Sequence, residues 1–288
     1  MSQQNCYLCG SNKYIIRPGV VRDNPEIKVL ECVDCELVYL SSFKHIDVNH
    51  YEESGIHDGN KPDIELWLKE TQDDDLRRYQ FVKNKLINKN VMDFGCGIGG
   101  FLNHAKLLAN KAVGIELEKA LQPSFKERGL MVYPSLQSAQ SCGEKWDLIT
   151  SFHVIEHLSN PREMLVELSK LLGLDGEIII EVPNSDDALL TLYENKEFQN
   201  FTYWSQHLFL FNAKTLSELI KQANLKVKWI KHVQRYSLSN HLYWMSKGAP
   251  GGHKKWCHMN NDRLDSEYES MLAANGKTDT ITACISLL

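Results

Sequence analysis

The sequence predicts an α/β fold, a mostly parallel sheet with helices on both faces, preceded by a small metal-stabilised module. Three observations lead there. From Val91 onward, short apolar segments alternate with helical ones. A glycine-rich turn joins the first strand of that series to its first helix, and two CxxC pairs occupy the first 35 residues. The chain has 288 residues, 43% hydrophobic and 24% charged, which excludes a disordered, collagenous or membrane protein. A net charge of -5 leaves no basic surplus for a phosphate backbone and argues against nucleic acid as the partner. No apolar run reaches the roughly 18 residues needed to span a bilayer, and residues 1–5 do not open a signal peptide, so the expected compartment is the cytoplasm.

Taken in order, Cys6 and Cys9 form one pair and Cys32 and Cys35 the other, with 22 residues between them. Each CxxC turn aims two thiolates at one cation, and Gly10 supplies the left-handed backbone such a turn needs. Four thiolates close a tetrahedral shell with no open position, which favours structural Zn2+ over a redox pair. Val29, Leu30 and Leu37 to Leu40 read as short strands, so residues 1–42 are expected to form a zinc ribbon, a module too small to fold without its metal.

Residues 43–90 carry Trp67, Leu68, Leu76, Tyr79, Phe81, Val82 and Leu86 at helical spacing, which predicts one or two linking helices. Strands follow at Val91–Phe94, Ala112–Glu116, Leu130–Tyr133, Asp147–Phe152 and Glu177–Val182. Helices are expected at Phe101–Asn110, Ala120–Arg128 and Pro161–Leu172, the last stopped by Gly173. An irregular aromatic stretch, 184–211, precedes a helix at Ala213–Ala223. Two final strands, Val227–Val233 and Thr280–Leu288, bracket residues 234–277, which read as an insertion because the last strand must return to the sheet.

The segment Asp93-Phe94-Gly95-Cys96-Gly97-Ile98-Gly99-Gly100 ends a strand and opens a helix, where doubly wound sheets bind nucleotide-like ligands. Asp93 decides between cofactors. Its carboxylate would repel a pyrophosphate but attract the ammonium and sulfonium of S-adenosylmethionine. Glu116, ending the second strand, is placed to accept bonds from both ribose hydroxyls, a position that NAD sites also fill with an acid.

These residues resemble the class I S-adenosylmethionine-dependent methyltransferases. Asp93, Gly95, Gly97 and Gly99 match the family's first motif, Glu116 its ribose acid, and the segment from Phe152 to Leu158 its stretch after the fourth strand. The resemblance implies a Rossmann-like seven-stranded sheet with an antiparallel last strand. It implies that residues 91–288 form the methyltransferase domain and that residues 43–90 cover the cofactor, with Arg78 or Arg77 meeting its methionine carboxylate. The bland account of those arginines is a surface ion pair with Asp73 or Asp74. Many relatives place an acid after the third strand, whereas this chain has Ser135 and Leu136, so adenine is expected to rely on backbone and apolar contact there. A ribbon joined to this core resembles the bacterial methyltransferases acting on sugars and other surface-polysaccharide precursors. The expected acceptor is a small polar molecule, a nucleotide- or phosphate-linked sugar hydroxyl used in capsule or lipopolysaccharide synthesis. The alternative is an RNA or protein methyltransferase that uses the ribbon for substrate recognition, against which stand the few bases of residues 1–40.

Transfer to a hydroxyl needs a base with a pKa near working pH. His153 and His157 follow the strand that ends at the carboxyl edge, and His207 sits in an aromatic stretch, Tyr203 to Phe209, just beyond it. His153, His157 and His207 are therefore the candidate catalytic histidines, and His153 also a cofactor contact; a satisfied core histidine is the competing account of His207.

Overall fold

The structure, a computed structural model, describes residues 5–46, 50–53 and 62–288. Three short antiparallel strands, β1 (Tyr14–Ile16), β2 (Val29–Cys32) and β3 (Val38–Leu40), form the N-terminal module. Among the described residues one helix, α1 (Ile64–Leu86), fills the expected linker, and the Asp63 side chain caps it by accepting from the Leu66 amide. The remainder of that linker reading, residues 47–49 and 54–61, lies outside the described residues.

The parallel series follows: β4 (Asn90–Phe94), α2 (Gly100–Ala105), β5 (Lys111–Ile115), α3 (Gln122–Glu127), β6 (Met131–Tyr133), α4 (Leu136–Ser141), β7 (Trp146–Phe152), α5 (Pro161–Ser169) and β8 (Leu172–Pro183). Beyond it come α6 (Ala188–Thr191), α7 (Lys196–Thr202), β9 (Phe209–Leu210), α8 (Ala213–Gln222) and β10 (Leu225–Val233). The chain closes with α9 (Leu238–Lys247), α10 (Gly252–Lys255), α11 (Asp262–Ala274) and β11 (Thr280–Leu287). Seven strands pair in the order β10-β11-β8-β7-β4-β5-β6, parallel from β8 to β6 and antiparallel on both sides of β11. This is the Rossmann-like sheet the motifs imply.

Why the sheet is covered on both faces is written in β8. Ile178 and Ile180 turn to one face, where α5 and α8 bring Leu165, Leu168, Leu216 and Leu219. Ile179 turns to the other, where α1 brings Val82 and Leu86. Pro161–Leu172 was too long a reading of α5: the helix ends at Ser169, and Gly173 lies inside β8 rather than capping a helix. The stretch 184–211 is less irregular than its composition implied, because α6 and α7 are too short to show periodicity. The insertion 234–277 is helical.

The N-terminal module shares its core with the rest of the chain. β3 pairs with β9, adding a strand from the far side of β8 to the ribbon sheet, and Leu37, Leu40, Phe209 and Phe211 are all buried in one cluster. No described helix is long and apolar enough to cross a membrane.

Candidate active site

The glycine turn opens at the carboxyl end of β4 with positive φ at Gly95, Gly97 and Gly99. The Gly95 and Cys96 amides both donate to the Ile115 carbonyl, at 2.9 and 3.0 Å, which fastens the turn to the end of β5. A Cβ on Gly95 would lie 2.4 Å from Val154 Cγ2, so the loop after β7 closes against this glycine. Gly95→Ala therefore meets both a left-handed backbone and a clash, and about 2–4 kcal/mol of destabilisation is expected in thermal or denaturant unfolding. Adding Val154→Ala should return the clash part and leave the backbone part.

A cleft of about 320 Å³ lies over this turn. Four carboxylates, Asp75, Asp93, Glu116 and Glu118, and one arginine, Arg78, are among its lining residues. That donor set suits a cationic ligand and opposes a pyrophosphate. Glu116 accepts from the Gly97 amide at one oxygen and from the Glu118 amide at the other, each at 2.9 Å, leaving a further lone pair on both for a ribose diol. Burial pushes its carboxyl up despite those two bonds. Asp93 is 3% exposed and accepts from Thr150 Oγ1 at 2.7 Å. Burial pushes its carboxyl up to about 7, against the Thr150 bond and the nearby Arg78.

Arg78 and Arg77 have different tasks. Arg77 grips Glu181 with both terminal nitrogens, at 2.8 and 2.9 Å, whereas Arg78 lies over the Phe152 ring, lines the cleft and gives only its Nε to Glu181, at 2.9 Å. Burial opposes ionisation of Glu181, but His153, Arg77 and Arg78 outweigh it and hold its carboxyl well below the usual range. The bland account is corrected in the same terms: Arg77 does meet Asp74, at 3.1 Å, but within this partly buried network rather than as a surface pair.

Neither Ser135 nor Leu136 is among the residues lining the cleft. β6 is the edge strand and α4 begins directly after it, so Ser135 caps that helix by accepting from the Ser138 amide while Leu136 enters the core. Leu117 and Leu121, after β5, line the cleft instead. Gly99 also lies outside the lining; it caps α2, where a Cβ would meet Leu130 at 2.8 Å.

A second cavity, about 220 Å³, lies under the helical insertion and contains Asn184, Asp187, Arg235, Asn240, His241 and Asp279 among its lining residues, with Tyr236 and Trp244 as aromatic walls. His153 lines both cavities. Its backbone is left-handed, φ 54°, and its N–H donates a hydrogen bond to the Glu181 carbonyl at 2.8 Å. Its Nδ1 lies 3.1 Å from Glu156, and its Nε2 3.4 Å from both Glu181 and Arg235. His157 lines the cofactor cleft and His207 the second cavity, with ring centroids 4.9 Å apart. Burial and the His157 ring push His207 down to about 3, too weak a base for proton abstraction near neutrality. Sequence reasoning missed Arg235 as a site residue. It lies 82 residues from His153 in an insertion without a motif, and only the fold turns it back to bond Asp74 at 3.2 Å.

In the N-terminal module the four sulfurs lie within 4.8 Å of one another, with Cys6 to Cys35 and Cys9 to Cys32 both at 3.4 Å. Tetrahedral zinc–thiolate geometry places sulfurs about 3.8 Å apart, so the cluster is compatible with zinc.

A nucleoside-sized cleft at the carboxyl edge of a doubly wound sheet, walled by a glycine turn and an acid at the ribose position, defines an α/β enzyme that uses a nucleoside-bearing cofactor. A family profile for a methyltransferase domain matches residues 69–228, and the chain belongs to that family: it is an S-adenosylmethionine-dependent methyltransferase. An uncharacterized protein of Methanocaldococcus jannaschii, MJ1123, is 24% identical over 59% of this chain and 81% of its own length. A ubiquinone biosynthesis O-methyltransferase of Haemophilus ducreyi is 30% identical over 37% of this chain, and the match spans about half of that relative, 52%. A tRNA U34 carboxymethyltransferase of Campylobacter hominis is 29% identical over 49% of this chain and 52% of its own. The fold matches a SAM-dependent methyltransferase structure from Archaeoglobus fulgidus with a TM-score of 0.50 and 19% identity, covering 83% of this chain and 99% of that one.

Proposed function

We propose that this enzyme methylates a hydroxyl of a small polar acceptor, a sugar carried on a nucleotide or phosphate, of the kind used in capsule or lipopolysaccharide synthesis. The observation that carries the reading is the second cavity, joined to the cofactor cleft at His153. Its volume of about 220 Å³ admits a small molecule rather than a folded macromolecule. Asn184, Asn240 and His241 offer hydrogen bonds to hydroxyls, Tyr236 and Trp244 offer faces to a sugar ring, and Arg235 offers a positive charge.

Bound S-adenosylmethionine supplies an activated methyl on a sulfonium. The protein's task is then to place the acceptor oxygen about 3 Å from that methyl and to take its proton. His153 stands at the junction, with Glu156 holding Nδ1 so that Nε2 faces the acceptor side. Arg77 and Arg78, through Glu181, fix the floor beneath it. Glu116 holds the ribose, and Asp93 faces the cationic end. The Cys6, Cys9, Cys32 and Cys35 cluster holds structural zinc, which anchors β3 and through it β9 and the neighbouring acceptor wall.

The test is a methyl-transfer screen with labelled S-adenosylmethionine against nucleotide sugars, sugar phosphates and, in parallel, bulk tRNA and protein. Labelling of a sugar supports the reading; labelling confined to tRNA or protein overturns it. His153→Asn, chosen because Asn tolerates the left-handed backbone, should lower kcat by roughly 10²–10⁴ and leave the S-adenosylmethionine Kd within about threefold. A change in Kd alone would make His153 a cofactor contact only.

A further inference from the structure

We propose that Glu156, His157 and His207 form a divalent-cation site at the junction of the two cavities, where the ion would seat the acceptor hydroxyl. The inference rests on the hydroxyl-methylation reading above.

The three side chains each offer a ligand atom within 4.8 Å of the others. Glu156 and His157 stand on the short turn after β7, and His207 approaches from the segment before β9, so the cluster is assembled across the fold. Glu156 is fully buried, yet its Oε2 has no partner among the described residues, and neither has the buried Nδ1 of His157 or of His207. Three unsatisfied buried polar atoms on the three residues of one such cluster are costly unless something partners them.

The surrounding groups are those that metal ligands usually have. Glu156 Oε1 is held by His153 Nδ1 at 3.1 Å, which leaves Oε2 without a partner among the described residues. The His157 ring is hydrogen-bonded to the Gln206 backbone, and the Tyr51 hydroxyl holds the His157 carbonyl at 3.0 Å. Outer bonds of this kind fix ring orientation and tautomer at metal-binding histidines. Two imidazoles and one carboxylate suit Zn2+, Mn2+, Co2+ or Fe2+ better than Mg2+ or Ca2+, and three ligands leave positions open. Metal–ligand bonds of about 2.0–2.2 Å would draw the three atoms together by roughly an ångström.

The position gives the site its chemistry. His157 lines the cofactor cleft and His207 the second cavity, so an acceptor hydroxyl would reach the open positions while its oxygen faced the methyl. A hydroxyl there loses its proton more readily. The proton passes to His153, the oxygen forms its bond to the methyl carbon, and the sulfur–carbon bond breaks to leave a neutral thioether.

The experiment is titration of full-length protein loaded with a single equivalent of zinc per chain, which the four thiolates take first, with Mn2+, read by electron paramagnetic resonance and calorimetry without acceptor. Mn2+ competes poorly for four thiolates and so reports the nitrogen–oxygen site. One Mn2+ per chain is expected, with binding at least thirtyfold weaker in Glu156→Gln, which keeps size and shape, and in His207→Ala. No Mn2+ binding by the wild type, or Glu156→Gln binding as the wild type does, would mean that water fills the cluster and would overturn the proposal. The readout needs no turnover, so this failure is distinct from failure of the sugar-methylation screen.

Discussion

Cys32→Ser is expected to abolish zinc binding by the four-cysteine cluster and to unsettle far more than the first 40 residues. Apparent binding free energies of structural zinc are about 10–16 kcal/mol, comparable to the whole stability of a domain. The ribbon cannot absorb that loss alone, because Leu37, Val38, Tyr39 and Leu40 are buried in the same cluster as Phe209 and Phe211 and β3 pairs with β9. The measurement is zinc content together with amide exchange. The variant should lose one zinc per chain relative to the wild type, and protection should drop at residues 208–211 as well as in the ribbon. Cys142→Ser, at an exposed cysteine outside the quartet, is the control and should change neither. Wild-type protein without zinc, or loss of protection confined to the ribbon, would separate the metal from the β9 segment.

The second large effect concerns Asp93, where function and stability pull in opposite directions. In the unliganded protein burial holds this carboxyl up at about 7, against a usual 3.8. A folded-state pKa raised above the unfolded one means that the native state binds more protons between those values. Native stability from this group is therefore present at low pH and is lost as pH rises from about 4 to 7, by up to about 4 kcal/mol. Asp93→Asn removes that loss while keeping an oxygen for Thr150, so the unliganded variant should melt higher than the wild type at pH 8. Cofactor affinity should move the other way. The ionised carboxylate attracts the ammonium and sulfonium, so the wild-type S-adenosylmethionine affinity should fall about tenfold per pH unit below 7, where a proton must be displaced. Asp93→Asn should bind about 10–100-fold more weakly at pH 8 and show no such slope. Calorimetry from pH 5.5 to 8.5 checks both; undiminished affinity in the variant would remove the charge argument for this cofactor.

Much of the site is legible in the amino-acid order alone, and for a local reason. The glycine turn, Asp93, Glu116 and the CxxC pairs each depend on backbone geometry within a few residues, so their spacing carries their chemistry. The central strands β4, β7 and β8 are legible too, because a strand buried on both faces reads as a largely apolar run. Ser135 and Leu136 stand outside the cleft lining for the complementary reason. Whether residues after an edge strand face the cleft depends on how soon the next helix begins, and here Ser135 itself caps it.

Fold class, cofactor pocket and cysteine quartet thus follow from periodicity and short-range spacing, and the chain carries all three in its own order of residues. Other contacts exist only once the chain has folded: Arg235 reaching His153, Glu181 anchoring Arg77 and Arg78, β9 joining the ribbon sheet, and His207 meeting His157 and Glu156. Those contacts join segments far apart in the chain. Their partners are chosen by which strands the sheet brings side by side, and a charged or aromatic residue in an insertion carries no local mark of the neighbour it will find.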